Sequence, residues 1–152
     1  MNLKKVLFVV VGAMLLLTIS YFVIDAGGEK IRHNYTFIGE SENWKAVYRM
    51  DGEEKFFDRG GKGQYDANSK DDFTLTFKGT DRELAEIKDF YYSFESPRRK
   101  RSTSESFEEP LTSKVFKAGG MHDSIVVRGN DVIEVVVEWD GDKEIFEMKI
   151  EE

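Results

Sequence analysis

The feature that most constrains this chain is a run of 19 residues without a charge, Val6 to Ile24 (VLFVVVGAMLLLTISYFVI). As a helix rising about 1.5 Å per residue it reaches roughly 28 Å, close to the hydrocarbon thickness of a bilayer. Lys4 and Lys5 stand before the run and Asp25 follows it. The preference of basic residues for the cytoplasmic side then keeps residues 1–5 inside and sends the rest across. Tyr21 and Phe22, near the far end, suit the membrane–water interface. The sequence thus predicts a transmembrane signal-anchor helix over residues 6–24, in contact with the lipid bilayer, and a domain outside the cell membrane. The alternative is a cleaved signal peptide, whose apolar stretch is usually about 7 to 15 residues and ends in a small-x-small site. Thr18-Ile19-Ser20 lies inside the run, and Ile24-Asp25-Ala26 puts Ile where a small residue is needed, so neither fits that pattern well.

Beyond the run the chain is acidic. Lys4 and Lys5 are the only charged side chains before Asp25, which leaves 20 basic and 29 acidic side chains for the remainder. That balance repels a polyanion, so nucleic acid is not expected as a partner. The same remainder holds 10 Phe, 5 Tyr and both Trp, enough to bury one sizeable core. Cysteine is absent. Disulfides, thiolate zinc sites, a cysteine nucleophile and a lipid-bearing cysteine are therefore excluded, and an outward-facing domain without disulfides points to a bacterium, Gram-positive by preference.

Residues 25–33, containing AGGEKIR, read as a short stem, and residues 34–152 as an extracellular β domain. Tyr35 and Phe37, then Trp44, Ala46, Tyr48 and Met50, recur with the period of two that marks half-buried strands. Asp51-Gly52 reads as a turn, Lys55–Phe57 as a short return strand, and Arg59 to Asp72 (RGGKGQYDANSKDD) as a polar, mobile loop. Phe73, Leu75 and Phe77 form the face of the next strand. From Glu83 to Phe94 the pattern is double: Leu84, Ile87 and Tyr91 have helical spacing, whereas Lys88, Phe90, Tyr92 and Phe94 alternate as a strand. A strand from Ile87 is the preferred reading. Pro97 to Pro110 reads as an exposed excursion, and residues 114–117, 124–127 and 131–139 as later strands, separated by Gly119-Gly120 and Gly129-Asn130.

The end of the chain is the most determined part. Asp140-Gly141 suits a two-residue type I′ hairpin turn, which sets Trp139 opposite Asp142, Val135 opposite Phe146, Ile133 opposite Met148, Glu138 opposite Lys143 and Glu134 opposite Glu147. Seven or eight short strands with few prolines predict a mainly β fold. The leading architecture is an antiparallel β-sandwich, immunoglobulin-like without its disulfide; a small β-barrel or an α+β fold is the alternative.

Groupings that carry chemistry are sparse. His33 and His122 are the only histidines and lack metal or hydrolase spacing. Asp140-Gly141-Asp142-Lys143-Glu144 has Ile145 where a calcium loop needs glycine. Asp71-Asp72 and Asp51-Gly52-Glu53-Glu54 admit a weak calcium ion between loops, against the commoner reading as solvated acidic turns. No serine sits in a glycine-flanked elbow, and Gly60-Gly61-Lys62-Gly63 lacks the spacing of a phosphate loop. No catalytic, cofactor-binding or metal-binding residue is assigned. The one partner candidate is Arg98-Arg99-Lys100-Arg101, four consecutive cations that suit anionic lipid headgroups or wall teichoic acid. Its bland counterpart is a solvated loop offset by Glu105, Glu108 and Glu109.

At Phe37 to Tyr48 (FIGESENWKAVY) and in the ending VEWDGDKEIFEMKI the chain resembles small extracytoplasmic β-rich proteins of Bacillus-type Gram-positive bacteria. Those proteins often carry a lipoprotein signal, whereas this chain has no cysteine to bear the lipid. The resemblance implies an extracytoplasmic location and a β-rich fold, and it transfers no functional residues. The expected function is a membrane-tethered interaction module for a membrane-protein or cell-envelope partner, and not an enzyme. The alternative is a secreted or surface metal-dependent binder or enzyme built on acidic loop residues.

Overall fold

The computed structural model describes residues 28–151; the anchor expected over residues 6–24 lies outside the described residues. In chain order the elements are β1 (Glu29–Glu40), β2 (Trp44–Asp58), β3 (Gly63–Phe77), α1 (Asp81–Glu86), β4 (Asp89–Ser96), β5 (Arg99–Ser106), β6 (Val115–His122), β7 (Ile133–Trp139) and β8 (Asp142–Ile150). Two compact units are distinguished: residues 28–31 with 54–66, and residues 32–53 with 67–151. Among the described residues no helix is long and apolar enough to cross a membrane.

The fold is mainly β and antiparallel, as expected. Its strands run in the order β5-β4-β7-β8-β1-β2-β3-β6. Where the sequence predicted two stacked sheets, there is one, because β1 and β8 join the halves through the pairs Phe37↔Ile150 and Ile38↔Lys149. Within the larger unit this sheet must curl steeply. Strands β3 and β4 lie five places apart in the order, which on a flat sheet would separate them by about 24 Å. Yet Phe73 of β3 stacks on Phe94 of β4 with ring centroids 4.2 Å apart, and Phe90 of β4 meets Phe116 of β6 at 4.4 Å. The result is a half-barrel, nearer the small barrel that was the alternative.

Alternation along each strand fills the concave side of that curl. Trp44, Ala46, Tyr48 and Met50 of β2 are buried, as are Phe73, Leu75 and Phe77 of β3, Phe90, Tyr92 and Phe94 of β4, and Ile133, Val135 and Val137 of β7. Trp44 gathers Phe77, Phe90, Phe116 and Trp139 around its indole at centroid distances of 5.0 to 6.0 Å. Each large apolar side chain so buried contributes roughly 1.5–3 kcal/mol before the entropy of ordering it is counted. Residues 124–127, expected as a strand, are instead an irregular segment in which Ile125, Val126 and Val127 are buried. Its carbonyls are met by side chains: Ser69 Oγ donates to Ser124 O at 2.6 Å and Ser96 Oγ to Val126 O at 3.4 Å.

The β7–β8 hairpin has the register read from the sequence at every pair, including Glu134↔Glu147. Asp140 and Gly141 take φ of 48° and 97°, the two left-handed conformations that a type I′ turn demands. The Asp140 carboxylate also accepts from the backbone N–H of Lys88 and Asp89, at 3.0 and 2.8 Å. That contact marks where the ambiguous stretch changes character. Residues 81–86 are helix and residues 89–96 strand; of the helically spaced set only Leu84 lies in the helix, whereas Phe90, Tyr92 and Phe94 alternate inward along a strand that begins two residues after Ile87. The helix starts at a capping box: Glu83 N–H donates to Thr80 Oγ1 at 3.2 Å, and Thr80 N–H donates to Glu83 Oε2 at 2.7 Å. The hydrogen bonds from Thr80 hold the Glu83 carboxyl below its ordinary pKa.

Five further expectations are corrected, all toward more strand. Residues 29–33, read as stem, belong to β1; Asp51-Gly52, read as a turn, is inside β2; Gly119-Gly120, read as a break, is inside β6; and most of the excursion from Pro97 is β5. The expected loop 59–72 is largely β3. Ala67, Ser69 and Asp71 point inward with Phe73, Leu75 and Phe77, so the alternation continues but its inner face turns small and polar. A hydrophobicity pattern does not register such a strand.

Candidate functional site

The curl of the larger unit brings its two edge strands, β5 and β6, within reach of each other. No backbone ladder joins them among the described pairings; Arg101 Nη1 of β5 donates to Gly119 O of β6 at 2.9 Å. A groove of about 630 Å³ follows this seam, bordered by Asp72, Tyr92, Arg101, Thr103, Lys117 and Gly120.

Beside the seam Asp71 of β3 is buried to 1% exposure. Tyr48 of β2 donates its hydroxyl to Asp71 Oδ2 at 2.9 Å, and Arg99 Nη1 of β5 lies 3.6 Å from the same oxygen. His122, the last residue of β6, sets Nε2 3.1 Å from Oδ1, without the alignment of a hydrogen bond, so Oδ1 keeps unfilled acceptor capacity. The His122 ring also touches the Arg99 guanidinium, with Nδ1 2.7 Å from Nη1. Burial first, then the charge and hydrogen bond of Asp71, push the Tyr48 phenol far above its ordinary pKa, against a smaller opposing effect of Arg99 and Arg101. Tyr48 is therefore held as a neutral donor. A buried carboxylate needs this kind of compensation, and here four different strands supply the parts.

Of the four cations picked out in the sequence, strand alternation separates the members. Arg99 and Arg101 face the seam, whereas Lys100 points outward to Glu95 at 2.8 Å, and that partner raises the lysine pKa. Arg98, in the turn, lies 4.0 Å from Asp131. Each of the four thus has an intramolecular partner, and they do not form one continuous patch. His33 is in β1, with Nδ1 3.0 Å from the Tyr35 hydroxyl and Nε2 3.3 Å from Arg128 Nη1. The acidic groups read as turns are strand residues: Asp51 accepts from Asn34 Nδ2 at 2.6 Å, and Glu53 pairs with Arg32 at 3.6 Å. Among the described residues no three His, Asp or Glu side chains gather as a metal site.

Sequence reading placed Asp71 in a solvated turn and left Tyr48 as plain core. The available signal was parity. Asp71 shares it with Phe73, Leu75 and Phe77, so extending that strand backward puts its carboxylate inside. No protein-family model, curated protein or solved structure matches the chain.

Proposed function

We propose that the chain is a single-pass protein of a Gram-positive cell membrane, N-terminus cytoplasmic, whose mainly β C-terminal domain is a tethered interaction module for a membrane-protein or cell-envelope partner. The observation that carries this reading is the uncharged run Val6–Ile24 between Lys4-Lys5 and Asp25. It is supported by the brevity of the connection, since β1 begins at Glu29 and leaves little free chain between the apolar run and the sheet. The polar cluster at Asp71 supports a module rather than an enzyme: its carboxylate, phenol and guanidinium are committed to one another across three strands. Arg98 and Lys100 remain at the surface as contacts for an anionic envelope polymer, each already near a carboxylate.

Protease digestion of intact protoplasts carrying a C-terminal tag tests the placement. The tag is expected to be removed from outside while the membrane-retained mass still includes residues 1–26. A protected tag, or a chain released into the medium without those residues, would overturn the reading.

A further inference from the structure

Resting on that anchored reading, we propose that the β2–β3 turn is a membrane seat: Lys55, Phe56, Phe57, Arg59 and Lys62 lie in the anionic headgroup layer of the bilayer that holds residues 6–24.

Only Asp25, Ala26 and Gly27 separate Ile24 from Gly28, so Gly28 stands at most about 14 Å from the end of the apolar run even if the chain is fully extended. The headgroup layer itself occupies roughly 5–8 Å on each side of the hydrocarbon. Gly28 in turn lies hard against the β2 end of the same small unit. A Cβ added there would meet Phe56 O at 2.1 Å and Phe57 Cβ at 2.7 Å. Whatever depth the anchor gives Gly28, it gives Phe56 and Phe57 within a few ångströms.

Between Lys55 and Tyr65 the chain carries Lys55, Arg59 and Lys62 against Asp58 alone, a local excess of cations in a chain of net charge −7. Phe56 and Tyr65 are 42% and 55% exposed and pair with centroids 5.1 Å apart. On the other face Lys55 Nζ and the Arg59 guanidinium sit 5.3 and 5.9 Å from the centre of the Phe57 ring. Aromatic rings with cations beside them are what the interface between hydrocarbon and headgroups favours, and anionic lipid attracts juxtamembrane lysine and arginine. The turn that presents them is stiff. Arg59 N–H donates to Lys62 O at 2.9 Å, Gly61 N–H donates to Asp58 Oδ1 at 2.7 Å, and Gly60 and Gly61 take left-handed φ of 66° and 77°.

The chain has no cysteine, so one introduced by Gly63→Cys, where a Cβ meets nothing within 4 Å, gives a single labelling site. The full chain is reconstituted into phosphatidylcholine vesicles with and without phosphatidylglycerol, labelled with an environment-sensitive dye, and floated on a density gradient. Co-flotation with an emission blue-shifted on the anionic vesicles is expected, and the shift should be lost when Lys55→Ser, Arg59→Ser and Lys62→Ser are combined, with near-ultraviolet circular dichroism unchanged. Co-flotation with the emission of the dye on free cysteine in buffer would overturn the seat and leave the anchor standing. A chain that does not float would overturn the anchored reading, and the seat with it.

Discussion

Arg98–Arg101 and Lys55–Lys62 are the two most basic stretches of an acidic chain, with four and three cations respectively, yet the structure uses them differently. The first lies on an edge strand and the turn before it. There, alternation turns Arg99 and Arg101 toward the seam, one beside a carboxylate buried to 1% exposure and the other onto a backbone carbonyl. The second frames a turn, where alternation lapses and two of the cations, Lys55 and Arg59, sit over Phe57. A run of like charge in a sequence therefore says little about a surface patch until the element carrying it is known. In a strand half of the run is withdrawn to the opposite face.

The largest effect is expected from Arg99→Ala, which leaves Asp71 buried without its cation and should lower stability by about 3 kcal/mol or more. Denaturant unfolding with an unchanged midpoint would mean the cluster does not hold the sheet edges. Tyr48→Phe removes the hydroxyl donated to Asp71 and should cost about 1–2 kcal/mol. It also carries a pH signature. The folded phenol is held protonated above its ordinary pKa of 10.0, so the stability it contributes is fully present below that pH and declines as pH rises beyond it. Stability measured across the alkaline range should fall less steeply in Tyr48→Phe than in the parent; parallel curves would remove Tyr48 from the account.

Arg98→Ala is the sharpest internal control. Arg98 precedes Arg99 by one residue, but its side chain is 47% exposed and 4.0 Å from Asp131, so a change within about 0.5 kcal/mol is expected. The smallest effect belongs to Lys55→Ser, Arg59→Ser and Lys62→Ser together, which should leave the thermal midpoint in detergent nearly unchanged while altering the response to anionic lipid. A large loss of stability there would show that the turn cations serve folding.

Much of the fold was legible. Trp44 to Met50, Phe73 to Phe77 and Ile133 to Met148 each declare an inner face by apolar alternation, and the Asp140-Gly141 turn supplies a register that the structure repeats pair for pair. Two of the strands that differ from expectation share one cause. The first half of β3 and all of β5 put Ser, Thr, Asp or Arg at inward or seam positions, and a polar inner face looks like a loop. The helical turn at Asp81–Glu86 has its own local signature, the capping box of Thr80 and Glu83, immediately before the strand.

Local pattern, then, determined by itself the mainly β class, the closing hairpin, the core aromatics and the uncharged run before Asp25, because periodicity and turn chemistry act within a few residues. Only the tertiary structure decided that the strands form one sheet, that its edges meet, and that Asp71 is buried between residues 23 and 51 positions away, Tyr48 and His122. Those outcomes depend on how far a long sheet curls. Curl is set by packing among side chains distant in sequence, such as Phe73 on Phe94, and no window along the chain contains it.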